Sequence, residues 1–326
     1  MAKDVTYING VIAVKETALL GGKLIKMCSA TAEEAFRTLT ESGFGRGSAA
    51  RSAFEYEKLL EEDLDEINSF VREYAPSEAE KAYFLAPFDF HNAKALLKSK
   101  YTGANPQPML APDGLIPCAT IARCVENADY SPLYGRLREV CESAEKLFSN
   151  EETYVSGAEI GIEFSRAEYA CLAESCKSNS TLEKFVARKA DMTDILSAFR
   201  SKTAEYALNN ALFCGKLTKK HIEVLFEDNA QKILDFYENS PYLGFVKICL
   251  EARENGVKLT RAELERDNAE TAELSLRRHE LKSKEPFIYY VLRRRAENAD
   301  LRIIFVCLAA GLGEAEIISR LRGIVK

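Results

Sequence analysis

Residues 290–313 read YVLRRRAENADLRIIFVCLAAGLG, and the stretch changes character halfway. Three consecutive arginines, Arg293 to Arg295, are followed by the acids Glu297 and Asp300, then by an apolar run from Ile303 to Leu312. Glu285-Pro286 precedes it, and proline suits the first turn of a helix. A helix from Pro286 to Ala310 would extend about 35 Å at 1.5 Å per residue. Successive helical residues turn by about 100°, so the three arginines cannot share a face. Arg293 and Arg294 stand one turn before Glu297, a spacing that suits intrahelical pairing worth a few tenths of a kcal/mol. The expectation is a solvated, salt-paired first half running into a core second half. The rival reading makes the arginine triplet a basic patch for a partner.

Outward from this stretch the periodicity stays helical. In residues 54–74, Tyr56, Leu59, Leu60, Leu64, Ile67, Phe70, Val71 and Tyr74 fall on one stripe at three-and-four spacing. Residues 219–237 read the same way. A Ser or Thr followed three residues later by Glu marks helix starts at Thr31/Glu34, Ser77/Glu80, Ser165/Glu168, Ser180/Glu183 and Thr260/Glu263. Hairpin signals are absent. The prolines between 104 and 118, and GFGRGS at 43–48, predict loops. The fold class predicted is all-α.

Three features recur at intervals near a hundred residues. The first is an acid opening an amphipathic helix, at Asp89, Asp191 and Glu297. The second is a glycine opening the next helix, at Gly114, Gly215 and Gly311. The third is a Ser-Pro-led helix, at Ser131 and Ser240. That period is too long for a solenoid repeat of about 20–50 residues. It predicts three helical lobes of like topology, 1–112, 113–214 and 215–326, forming one compact unit around a pseudo-threefold axis.

Composition narrows the function classes. The 326 residues are 47 % apolar and 29 % charged, as in a protein with a large core. A net charge of −6 argues against nucleic acid, which calls for a basic footprint. The apolar run of about ten residues is half of what a membrane span needs, and the first residues lack the apolar segment of a secretory signal. The nine cysteines contain no CxxC and read as reduced thiols, most of them small core residues.

Chemistry-bearing motifs are missing. His91, His221 and His279 lie far apart and outside metal-ligand spacing. No phosphate-cradling glycine loop and no nucleophile motif occurs, so no catalytic residue, cofactor or metal is predicted. The recurring acids read best as first-turn residues complementing helix N-termini, worth about 0.3–1 kcal/mol. Exposed cations remain as partner-binding candidates: Arg293, Arg294, Arg295, Lys219, Lys220, Arg277 and Arg278. Charged rims set register and orientation on a partner.

The acid-led helices, the Gly-led helices after them and the ending from Glu285 to Lys326 resemble the C subunits of prokaryotic V-type (A/V-type) ATPases, relatives of the d subunit of the eukaryotic V-ATPase. The residues carrying the resemblance are Glu285-Pro286, Tyr289-Tyr290, Glu297, Leu301-Arg302, Gly311-Leu312 and Leu321-Arg322, with Tyr7, Glu16, Leu19 and Leu20 near the start. Val11 and Ala13 stand where the family usually has an arginine pair, and Ser165-Arg166 where a Leu-Asp pair is expected. The resemblance implies an all-helical funnel of three lobes and a non-catalytic rotor part. Its implied partners are the D and F subunits of the central stalk and the membrane proteolipid ring, and its implied place is the cytoplasmic face of the membrane. Coupling would serve H⁺ or Na⁺ transport. The alternative is a free-standing helical-repeat adaptor, which the missing arginines favour.

Overall fold

A computed structural model describes residues 4–45, 48, 50–149 and 157–322. Among them the regular structure is helical, with no strand. In chain order the α-helices are α1 (Val5–Lys15), α2 (Lys23–Met27), α3 (Ala32–Glu41), α4 (Tyr56–Tyr74), α5 (Glu78–Thr102), α6 (Cys118–Asn127), α7 (Gly135–Phe148) and α8 (Gly157–Ser175). They continue as α9 (Ser180–Arg200), α10 (Ala204–Asn210), α11 (Lys219–Val224), α12 (Ala230–Tyr237), α13 (Leu243–Glu254), α14 (Thr260–Leu274), α15 (Glu285–Ala309) and α16 (Glu314–Arg320). Two compact units result, one from Met1–Ser77 with Asp267–Lys326, the other from Glu78–Arg266.

The first unit is built on α15. Its second half buries Leu301, Ile304 and Phe305 against Leu24 of α2, Leu39 of α3 and Leu60 of α4. The Phe305 ring stacks on Tyr56 at 5.0 Å. In the second unit Phe90 and Leu97 of α5 pack with Ile121, Leu137, Ile160 and Phe164 of α6, α7 and α8. A buried Phe or Leu of this kind contributes about 2–5 kcal/mol against truncation to alanine. All nine cysteines are free, and seven of them are buried.

Helix starts are decided locally. Thr31 and Glu34 form the expected reciprocal box, with Glu34 N–H donating to Thr31 Oγ1 at 3.3 Å and Thr31 N–H to Glu34 Oε2 at 2.9 Å. Ser165 and Glu168 instead lie inside α8, where Ser165 Oγ donates to the Gly161 carbonyl. Ser180 is the first residue of α9, and Asn179 caps it. The single helix read over 219–237 is broken at 225–229, because Asn229 caps a new helix and its side chain accepts from Gln231 N–H. Of the loop at 43–48, residues 46 and 47 lie outside those described.

The recurring acids are not first-turn residues. Asp89, Asp191 and Glu297 sit in the middles of α5, α9 and α15 and are buried. Their partners are amides of a later or distant segment. Leu115 and Ile116 N–H donate to Asp89 at 3.1 and 3.3 Å. Lys216 and Leu217 N–H donate to Asp191 at 2.8 and 3.0 Å. A carboxylate buried at mid-helix finds no free N–H on its own helix, so it pins a neighbouring turn instead. Gly114 and Gly215 stand where these turns cross the helix. A methyl there would lie 2.6 Å from the Leu85 carbonyl and 2.5 Å from the Ala187 carbonyl.

Gly311 plays another part. At φ +71° it ends α15, with Leu312 N–H returning to the Cys307 carbonyl at 3.0 Å. Glu297 takes its amides from the chain's beginning: Leu20 and Gly21 N–H each donate to it at 3.2 Å.

Candidate partner-binding site

Each of the buried carboxylates Asp89, Asp191 and Glu297 latches a distant turn by its amides, and around α15 the Glu297 latch lies among further polar pairs. Arg293 reaches Glu297 at 3.4 Å, the intrahelical pair read from the sequence. Arg294 takes a different partner, Asp63 of α4, at 2.5 Å, and its Nη1 donates to Tyr290 Oη at 3.2 Å. Arg295 donates to Asn68 Oδ1 at 3.0 Å. Asn298 Nδ2 donates to Asp63 at 2.8 Å and to the Leu60 carbonyl. The side chains of Arg293 and Arg294 are only 15 % and 14 % exposed, so this half of α15 is not solvated. α4 covers it, and Phe287 stacks on Phe70 there. Burial pushes the Asp63 carboxyl up, against the pull of Arg294.

A second polar residue follows each latch acid by one helical turn. Asn92 accepts from Ala111 N–H at 2.7 Å, and Asp194 accepts from Leu212 and Phe213 N–H at 2.7 and 3.0 Å. Asp300 accepts from Arg322 N–H at 3.1 Å. Burial pushes Asp194 and Asp300 up to about 6. The Ser-Pro segments complete two latches, since Tyr134 Oη donates to Asp89 at 2.9 Å and Tyr242 Oη to Asp191 at 2.6 Å. Arg293 takes that place beside Glu297. A Tyr one or two residues after each Ser-Pro, Tyr242 and Tyr134, was the available signal for this role. The i,i+3 pairing of Asp89 with Asn92, Asp191 with Asp194 and Glu297 with Asp300 was another.

The remaining cations differ in what they face. Lys219 and Lys220 open α11 and are exposed, with the Lys220 ammonium 5.8 Å from the Phe236 ring centroid. Arg277 pairs with Glu280 at 3.1 Å and Glu285 at 2.7 Å. Arg278 is exposed and donates to His279 Nε2 at 2.9 Å. Thus Arg293, Arg294 and Arg295 are part-buried and each takes a different partner, while Lys219, Lys220 and Arg278 present charge outward. Val11 is half-buried and Ala13 exposed on α1. Arg166 donates to the carbonyls of Asn209 and Ala211 and so closes the end of α10.

Among the described residues no group of three His, Cys, Asp or Glu is placed to hold a metal ion. No helix there is long and apolar enough to cross a membrane. No curated protein matches the chain. A family model does, over residues 8–320, a span that takes in all three latches and the polar pairs around α15. The chain belongs to the ATP synthase (C/AC39) subunit family, and so to the V-type ATP synthase subunits.

Proposed function

We propose that the chain is the non-catalytic rotor subunit that couples the D and F subunits of the central stalk to the membrane proteolipid ring. Ion transport, of H⁺ or Na⁺, would then be driven through it or drive it. The observation that carries this reading is the family match over 8–320. The three latches support a body of three like helical lobes, a funnel about a pseudo-threefold axis. They favour lobes that begin at α5, α9 and α15, the third completed by residues from the chain's beginning. Lys219, Lys220, Arg277 and Arg278 would then set orientation on the partners, and Arg293–Arg295 would hold α15 in place. The place of work is the cytoplasmic face of the membrane, as a peripheral part of the complex.

The test is a pull-down of the tagged chain from detergent-solubilised membranes of its native host, with mass spectrometry. Recovery of head, stalk and proteolipid subunits is expected, and reversal at Lys219→Glu/Lys220→Glu should weaken it. Recovery of none of them, with the rotary complex intact in the same extract, would overturn the reading. It would favour the free-standing adaptor, to which Val11 and Ala13 in place of the family's arginines already point.

A further inference from the structure

Within the second unit an open cleft of about 430 Å³ is bounded by three helix ends. Phe199 and Arg200 come from the end of α9, and Arg253 from the end of α13. Val257, Lys258 and Leu259 form the turn between α13 and α14, and Thr260 and Glu263 open α14.

The cleft is preorganised. Gly256, at φ +63°, closes α13, with Gly256 N–H donating to the Arg253 carbonyl and Val257 N–H to the Ala252 carbonyl at 3.0 Å. In such a helix ending the next apolar residue usually folds back onto the last turn. Val257 is 61 % exposed instead, an apolar side chain presented outward by a defined turn. The Arg253 guanidinium lies 5.3 Å from the Phe199 ring centroid, and its Nη1 donates to the Leu225 carbonyl at 3.0 Å. Arg200 pairs with Glu263 across the cleft.

Its charge runs against the chain's. The lining holds Arg200, Arg253 and Lys258 against one acid, Glu263, whereas the whole chain carries −6. Nearby Glu251 is held by Arg261 at 3.3 Å. Among the described residues, Arg253 and Lys258 make no ion pair.

We propose that this cleft docks an acidic, amphipathic segment of a protein partner. One aliphatic or aromatic side chain seats against Val257, Leu259 and Phe199, while flanking carboxylates face Arg253 and Lys258. Charge complementarity selects the acidic partner, and the outward Val257 selects a segment with an apolar anchor over a small hydrophilic anion. The proposal rests on the reading of the chain as a member of an assembly.

The experiment places a photo-crosslinking p-benzoylphenylalanine at Val257 in the tagged chain, expressed in its native host, and identifies the attached peptide in the purified complex. The expected product is a peptide of another subunit with carboxylates beside an apolar residue. Its yield should fall about tenfold in Arg253→Glu/Lys258→Glu, two exposed charges lost and reversed, and should fall with added salt. Far-UV circular dichroism of both variants checks that they fold. Neutral Arg253→Gln/Lys258→Gln should give an intermediate yield, which a fold defect would not. An intact complex with no crosslink, a crosslinked peptide without acids, or a yield indifferent to charge reversal would overturn the cleft while leaving the rotor reading standing. An acidic crosslinked peptide from outside any rotary complex would keep the cleft and overturn the rotor reading.

Discussion

Replacing Asp191 with alanine should unlatch the middle of the second unit. The carboxylate is fully buried and accepts from Lys216 N–H, Leu217 N–H and Tyr242 Oη. Removing it strands three donors. Lys216 N–H is part-buried and regains water, while Leu217 N–H and Tyr242 Oη are buried. A buried donor left unmade costs about 1–3 kcal/mol, more when its lost acceptor was charged. The expected loss is about 3–5 kcal/mol. For a unit of this size each kcal/mol lowers the melting temperature by about 2–4 °C, giving a fall of roughly 6–20 °C. Thermal and urea unfolding followed by far-UV circular dichroism at pH 7 would measure it. Tyr242→Phe removes one donor and leaves both amides latched, so about 1–2 kcal/mol is expected. The double variant should lose less than the sum of the singles, because both act on one network. A fall of under about 2 °C for Asp191→Ala, or strict additivity with Tyr242→Phe, would refute the latch as an energetic unit.

Three further outcomes follow from the same geometry. Gly114→Ala and Gly215→Ala press a methyl against a helix backbone and should each cost about 1–3 kcal/mol, while Gly244→Ala, with open space around it, should be neutral or stabilising; equal effects at all three would refute the close approach. Arg294→Ala leaves Asp63 charged and buried with Asn298, and should destabilise by about 3–5 kcal/mol, whereas Arg294→Met/Asp63→Leu should recover much of that; a double variant no better than the single would count against the buried pair. Burial pushes Asp194 and Asp300 up to about 6 and Glu168 up to about 7, above the roughly 4 of an unfolded chain. The folded state then holds these protons more tightly, so their contribution to stability is present below about pH 4 and lost as pH rises through about 6 and 7. Glu168→Gln should flatten the upper part of that fall, and an unchanged profile in urea titrations from pH 5 to 8 would refute the shift.

Helical periodicity set out two of the long elements. The stripe from Tyr56 to Tyr74 became α4, the run from Pro286 to Ala310 became α15, and Thr31/Glu34 became a reciprocal cap. These depend on neighbours three and four residues apart, which any sequence displays directly. The recurrence of Asp89, Asp191 and Glu297 was also legible, as was the family resemblance that the match over 8–320 bears out. What those acids do was not. A carboxylate one turn from a helix end and one at mid-helix look alike in sequence, and only burial forces the second to seek amides elsewhere in the chain.

The same reason governs the arginine triplet. Spacing offered Glu297 to both Arg293 and Arg294, yet Arg294 found Asp63, far away in sequence, because α4 packs over that face and removes water from both charges. The recurrence likewise predicts the glycine of the third latch after α15, at Gly311, whereas the amides come from Leu20 and Gly21 at the other end of the chain. Local periodicity and capping chemistry are properties of adjacent residues, so they are legible before the chain folds. Which polar groups lose their water, and therefore which distant partner each must take, is decided only when the helices pack.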